Sequence, residues 1–393
     1  MSDTKEPLFT PRFFLMFGFT FTVFVSAFQL IPTAPFHIKD LGGSTFASGL
    51  FLAFLTYASA ASAPVTGALA DWFGLRRTLV TAGAALTGCS IGYAVIPDYR
   101  VMLGLTLVHG LFWSALLTAS SAYTTSFLPA SRRAEGIGYW GFASVAAIAV
   151  APTIGFALYR YGWGTLTLVT GVLNLAMTVI AWSLPEEHVT RHPRHERQRG
   201  PLLEWRVLVL SLTLFLYSVA YGGITSFAAM YAGANGVTPR AIYLTVLAVA
   251  ILLTRPFSGT LADRIGYVRV LVPCLGLISV GLSFLIFGGG RAWQVVSASI
   301  FGIGFGSAYP IFAAYMLDRT DHTRRAAAFG AILMAFDTGI GTGSLMTGWV
   351  IQRYGYATAF GVGAAVSALA IPYFLAARRV VPERQSLVGR SGT

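Results

Sequence analysis

The sequence predicts an all-α integral membrane protein, with twelve transmembrane helices in two parallel-repeat six-helix bundles, and three observations carry that prediction. Of the 393 residues 55% are hydrophobic and only 11% charged, with a mean hydropathy of +0.68. No water-facing surface tolerates that balance. Twelve apolar stretches of spanning length run nearly end to end, and segments of the first half recur in the second in the same order.

Crossing the hydrocarbon of a bilayer takes about 20 mostly apolar residues. Such stretches lie at 13–33, 45–70, 76–96, 101–127, 134–159, 163–184, 205–231, 239–262, 268–289, 292–317, 325–352 and 357–377. They carry no alternation of period two, which barrel strands of about 10 residues would need, so helices are the expected form. The first stretch reads as an anchor rather than a cleaved signal. It is too long for a signal core, and it runs into "QLIPTAPFHIKDLGG" without a small-x-small cleavage site.

The net charge of +12 is explained by where the basic residues fall. With loops assigned alternately, most of the 27 Lys and Arg lie on the side of the N-terminus, among them Lys5, Arg12, Arg76, Arg77, Arg132, Arg133, Arg264, Arg269, Arg319, Arg325, Arg378 and Arg379. Only Lys39, Arg100, Arg160, Arg240, Arg291 and Arg353 lie opposite, and Arg255 falls inside a span. The positive-inside rule then places both termini in the cytoplasm, with the protein in a cell membrane, of the bacterial inner-membrane kind. Lipid headgroups account for the charge, and no nucleic-acid partner is expected. Cys89 and Cys274 sit in helices of different halves, where a thiol packs; neither a disulfide nor a metal site is expected.

"GALADWFG" at 67–74 recurs as "GTLADRIG" at 259–266, and "SRRAEGIG" at 131–138 as "TRRAAAFG" at 323–330. Pro64 answers Pro256, and "RYGW" at 160–163 answers "RYGY" at 353–356. Six spans copied in one direction give repeats related by an axis along the membrane normal. The expected organisation is a first six-helix bundle at 1–184, a polar, basic, proline-broken cytoplasmic linker at 185–204, and a second bundle with a short tail at 205–393. The linker histidines have no metal-ligand spacing.

The repeated span ends carry a family resemblance. Gly67, Leu69, Ala70, Asp71, Gly74, Arg76 and Arg77 resemble the loop signature G-x-L-A-D-R-x-G-R-R of the major facilitator superfamily, with Trp72 and Leu75 at positions where the signature has basic residues. The second copy keeps Gly259, Leu261, Ala262, Asp263, Arg264, Gly266 and Arg269. The resemblance covers essentially the whole chain and implies a secondary transporter working by alternating access, with these residues as a gating motif. The first glycine of each copy is expected to let two helices approach closely, and the charges to pair across a cytoplasmic gate.

Two further signatures separate branches of the family. Antiporters resemble G-x8-G-x3-G-P-x2-G in the fifth span, which here reads Gly138, Ala147, Ala151, Pro152 and Gly155. Every position stays small, which suits close packing against a helix of the other half, and the proline bends the helix. The second half has Leu345 in place of the proline and keeps Gly348. In the fourth span R-x-x-Q-G has become Thr106, Leu107, Val108, His109 and Gly110. The arginine is gone, and His109, about 14 Å in from Arg100 along the helix, remains as an intramembrane group able to take a proton.

Asp337 is the sharpest single residue. It lies 12 residues from Arg325 and 16 from Arg353, about 18 and 24 Å from the two ends of its span. A carboxylate at that depth costs several kcal/mol unless it is protonated, paired or wet. Arg255 is the expected partner, the alternatives being a coupling role and a static ion pair. Asp337, Arg255 and His109 are the coupling candidates; Gln29, Asn174 and the tyrosines Tyr57, Tyr123, Tyr217, Tyr221, Tyr309 and Tyr315 are candidates to line a cavity.

The expected function is proton-coupled efflux of a small organic or amphipathic compound, with a symporter or facilitator for a sugar or organic acid as the alternative. No convergent catalytic set suggests an enzyme, and no glycine loop ending in Lys-Ser/Thr suggests ATP as energy source. No cofactor is expected beyond a proton gradient, and the partners are a small-molecule substrate and the lipid bilayer, with the chain as a monomer.

Overall fold

In the computed structural model, which describes residues 7–186, 205–320 and 325–380, helices make up all regular structure among the described residues. Helix α1 (Pro11–Leu30) starts where Thr10 accepts the amide of Phe13 at 3.2 Å and Pro11 fills the first position, because the cap satisfies an orphan N–H and proline has none to lose. A short α2 (Ala34–Asp40) continues this span. Then follow α3 (Thr45–Phe73), α4 (Leu75–Val95), α5 (Tyr99–Phe127), α6 (Arg133–Tyr159), α7 (Trp163–Ser183), α8 (Trp205–Ala234), α9 (Ile242–Ile265), α10 (Tyr267–Phe287), α11 (Arg291–Asp318) and α12 (Arg325–Val380). As one rod the 56 residues of α12 would reach about 84 Å, far beyond the roughly 30 Å of hydrocarbon. Gly355, at φ 83° and ψ 174°, breaks it into arms of 325–354 and 356–380, so the chain makes the twelve crossings expected.

The duplication is legible in the backbone. The positive-φ glycines among the described residues fall into three pairs at equivalent turns of the halves: Gly42 and Gly236, Gly74 and Gly266, Gly162 and Gly355. Gly74 (φ 93°, ψ 141°) ends α3 and starts α4, and Gly266 (φ 93°, ψ 143°) does the same for α9 and α10. One residue reverses the chain there, in a region of φ/ψ that essentially only glycine enters. That is the physical content of the second glycine in the repeated loop.

Within the first half, Met16, Phe19, Leu79, Leu116 and Met177 form an enclosed core. A polar seam crosses it, with Ser26 donating to Asn174 at 2.5 Å, Asn174 to Ser90 at 2.9 Å and Gln29 to Thr170 at 2.8 Å. The second half packs Leu214, Tyr217, Leu275, Phe301, Phe312 and Phe374. Large apolar side chains such as Leu168, Val179, Phe287 and Leu369 point outward, as bilayer-facing residues do. Exposed Trp72 and Trp182 sit at one end of the bundle and Tyr161 and Tyr354 at the other, where amphipathic rings meet headgroups.

Twelve crossings put the start of α1 at Pro11 and the end of α12 at Val380 on one face, called here the terminal face. The halves are joined away from it, chiefly along α3 and the first arm of α12. A Cβ on Gly49 would lie 2.6 Å from the Ser344 carbonyl oxygen, and one on Gly348 2.9 Å from that of Thr45. Backbones this close need glycine. The Gln352 side chain accepts the amide of Phe46 at 2.9 Å, Ser344 donates to the Gly49 carbonyl at 2.8 Å, Tyr57 and Thr342 share a hydrogen bond of 2.9 Å, and Thr153 of α6 meets Thr245 of α9 at 3.1 Å. Between mid-depth and the terminal face, no hydrogen bond or ion pair joins the halves among the described residues.

That asymmetry corrects one expectation. A Cβ on Gly67 would make only an ordinary contact at 3.8 Å with Thr118, and one on Gly259 would meet nothing within 4 Å. The first glycines of the repeated loops therefore hold no close helix crossing here. Of the expected linker 185–204, only Pro185 and Glu186 lie inside the described residues.

Candidate functional site

At mid-depth, the last polar link before the halves part is a single hydrogen bond. Ser59 of α3 donates to Oδ2 of Asp337 in α12 at 2.8 Å. Arg255 of α9 does not pair with Asp337. The ion pairs found among the described residues are Arg76–Glu186, Arg77–Glu186 and Arg132–Glu135, and the Asp337–Arg255 pair expected from the sequence is not one of them. Helical depth alone brought the two to the same level; it could not say which faces they occupy. The Arg255 guanidinium instead lies across from α6, with Nη1 3.7 Å from where a Cβ on Gly141 would sit, and it feels the Tyr221 and Tyr309 hydroxyls electrostatically. Tyr309 interacts with both Asp337 and Arg255, so the phenol lies near both charges.

Around them stands an aromatic cluster of the second half. Tyr221 stacks on Phe305 with centroids 4.3 Å apart and planes 9° from parallel, Tyr217 meets Phe305 edge-on at 6.0 Å, and Tyr309 lies 5.0 Å from Phe336. Tyr309 and Phe336 are half-buried. Of the tyrosines expected to line a cavity, Tyr217, Tyr221 and Tyr309 come together here, and Tyr57 joins from α3 by its bond to Thr342.

The other candidates lie elsewhere. His109 is buried in the first half, its Nδ1 3.2 Å from the Tyr93 hydroxyl. Gln29 is fully enclosed between α1, α6 and α7, and Asn174 belongs to the polar seam. Tyr123 donates to the Pro185 carbonyl, and Tyr315 carries the Arg319 guanidinium over its ring. These positions are internal to a half, so in this arrangement they do not face the space between halves.

The small-residue stripe of α6 also differs from expectation. A Cβ on Gly155 would come 2.6 Å from the Gln29 carbonyl oxygen, and Ala147 and Ala151 pack with Val25. The stripe with Pro152 therefore seats α6 on α1 of its own half, while Gly141 and Thr153 face α9. In the repeated loop, Arg76 and Arg77 reach Glu186 at 3.3 and 3.9 Å, at the end of α7 and within the same half. The Asp71 side chain lies outside the described residues; Asp263, Arg264 and Arg269 occupy the matching turn of the second half.

Sequence reading did not find Ser59, Phe305 or Phe336. Serine and phenylalanine are abundant in these spans, and nothing local sets these positions apart; their importance comes from what the other helices bring to them. Among the described residues, no group of three or more His, Cys, Asp or Glu gathers to hold a metal.

The Major Facilitator Superfamily profile matches residues 12–243 and 210–392. An uncharacterized MFS-type transporter of Burkholderia pseudomallei (strain 1106a) is 25% identical over 387 residues, covering 95% of this chain and 93% of the relative. Another, of Pseudomonas aeruginosa (strain LESB58), is 24% identical over 357 residues, 87% of either chain. Among solved structures, a mutant of the nucleoside transporter NupG superposes with a TM-score of 0.79 at 14% identity, over 93% of this chain and 99% of its own. That likeness is one of fold.

Proposed function

The chain belongs to the Major Facilitator Superfamily, a family of transporters rather than enzymes, and we propose that within it the protein is a proton-coupled secondary transporter that exports a small organic compound by alternating access. The observation that carries this reading is the bond between Ser59 and Asp337. It places a protonatable group on the seam between the halves, at the depth where they part. An ionised carboxylate accepts the serine proton strongly; a protonated one gives up the charge assistance and is cheaper to enclose. Loss and gain of one proton can therefore change how firmly the halves are joined at mid-depth, and a carrier needs that link between an ion and a rearrangement.

The positive-inside reading of the loops puts the terminal face in the cytoplasm, so the polar links between the halves described above lie from mid-depth to the outer side. Export by exchange is supported by the Pro152 stripe of α6, which resembles that of antiporters. The second reading, cotransport of an organic acid with a proton, is favoured by one observation: Arg255, a cation within the span, has no carboxylate partner among the described residues. The chain is proposed to act as a monomer, since each copy contains both halves of its own seam. Proteoliposome flux with a compound panel, under pH gradients imposed in either direction, tests the proposal. Uphill movement driven by the gradient is expected, and its sign separates exchange from cotransport. Flux indifferent to the gradient for every compound carried would overturn proton coupling and leave a facilitator.

A further inference from the structure

We propose that the space between α6, α9, α11 and α12 is a binding site for a small planar organic anion, an aromatic carboxylate. In this site the acid group lies on Arg255 and the ring against Tyr309 and Phe336. The inference names the cargo class of the carrier proposed above and rests on that reading.

Three observations converge. The first is charge. Arg255 lies within a span, about 15 Å along α9 from its end at Ile265, with the glycine face of α6 opposite it rather than a carboxylate. A guanidinium cannot give up its proton to escape the cost of enclosure. When the halves close over it, an anion has to come with it or Asp337 has to move to it, and Asp337 is held by Ser59. The second is geometry. The planar fork of five N–H donors matches a carboxylate in two parallel bonds, and Gly141, with no side chain, makes room for the guanidinium against α6 without offering it a polar side-chain partner. The third is the wall. Tyr309 and Phe336 have ring centroids 5.0 Å apart with planes 53° apart, and Phe336 continues to Phe305 at 6.2 Å and Tyr221 at 6.4 Å. The half-buried faces of Tyr309 and Phe336 offer a flat apolar ligand the offset and edge contacts that aromatic pairs prefer. A sugar would leave these rings poorly covered. A cation would meet Arg255.

The test uses purified full-length protein in lipid nanodiscs, with benzoate, benzamide, cyclohexanecarboxylate and inorganic phosphate as probes. Saturable binding is read by calorimetry and by the shift in thermal unfolding. Benzoate is expected to bind at least about tenfold tighter than its neutral isostere benzamide, the scale of a charge-assisted bond, and tighter than cyclohexanecarboxylate. Arg255→Gln should lose benzoate binding by a similar factor while Arg255→Lys, which keeps the charge without the fork, recovers part of it; Phe336→Leu should erase the preference for benzoate over cyclohexanecarboxylate. Equal binding of benzoate and benzamide, unchanged benzoate binding in Arg255→Gln, a response to phosphate as strong as to benzoate, or no saturable binding of any probe would overturn the proposal. Failure of the carrier reading looks different. Benzoate binding with no gradient-driven flux of any compound would remove proton coupling and leave the anion site standing, whereas gradient-driven flux without benzoate binding would do the reverse.

Discussion

Ser59 and Asp337 are 278 positions apart in the sequence and 2.8 Å apart in the fold. One belongs to the first half and the other to the second, and towards the terminal face from them no polar bond joins the halves among the described residues. The carboxylate that the sequence marks as costly is thus spent on the seam that a transport cycle has to open.

Asp337→Asn keeps the size of the side chain and removes its ability to ionise. It is expected to abolish uphill flux driven by a pH gradient while downhill flux of the same compound persists, measured in proteoliposomes with and without the gradient. A purely structural role predicts instead a loss of folded protein, read by size-exclusion profile and thermal unfolding. Normal gradient-driven accumulation by the Asn variant would remove Asp337 from the coupling scheme and turn attention to His109.

Gly49→Val addresses the closed side. Its Cβ would lie 2.6 Å from the Ser344 carbonyl oxygen, a distance only backbone movement can relieve, so α3 and α12 must separate away from the terminal face. A cysteine placed at Phe46, beside Gln352, should become several-fold more reactive to a water-soluble maleimide in this background, with transport impaired. Unchanged labelling would mean that the seam yields in some other way.

The one-residue turns make a stability prediction. Gly74→Ala and Gly266→Ala each place a side chain at φ 93°, costing about 1–3 kcal/mol apiece. The turns sit in different halves, so the costs should nearly add. Thermal unfolding in detergent of the two single variants and the double variant checks this. A near-wild-type double variant would show that the turns relax to another conformation.

Arg76→Gln separates anchoring from gating. The guanidinium lies 3.3 Å from Glu186, itself well exposed, and also donates to the Trp182 carbonyl. The ion pair contributes about 0–1 kcal/mol and a hydrogen bond from a charged group about 1.5–3 kcal/mol, so a modest loss of stability is expected, read by thermal unfolding. A fall in transport per folded molecule far larger than that loss would show that Arg76 acts in an arrangement other than this one, as the resemblance to the gating motif implies; transport at the normal rate per folded molecule would leave it a topology anchor.

Pro152→Leu makes α6 resemble its repeat, which has Leu345. If the stripe supports exchange, coupling should become leaky while expression persists, measured as proton leak during transport. Tightly coupled exchange by the variant would remove the main support for antiport.

Much of this protein is written locally. Span number and limits follow from hydrophobicity over about 20 residues, which needs no knowledge of neighbours, and the duplicated loops place their glycines at turns that only glycine makes: Gly74 with Gly266, Gly162 with Gly355. The depth of Asp337 and of Arg255 was equally legible, because a helix rises by a fixed step. Which way each side chain faces was not. Depth fixes one coordinate of a residue, and partners are chosen by the other two, the rotation of each helix and the identity of its neighbour. Those coordinates are set by packing of backbones, glycine against carbonyl at Gly49 and Gly348, and they gave Asp337 to Ser59, left Arg255 facing Gly141, kept the Pro152 stripe on α1 and buried Gln29 and His109 inside their own half. The side at which the halves are joined is likewise a property of the assembled helices alone, since the same sequence has to allow both arrangements for a carrier to work.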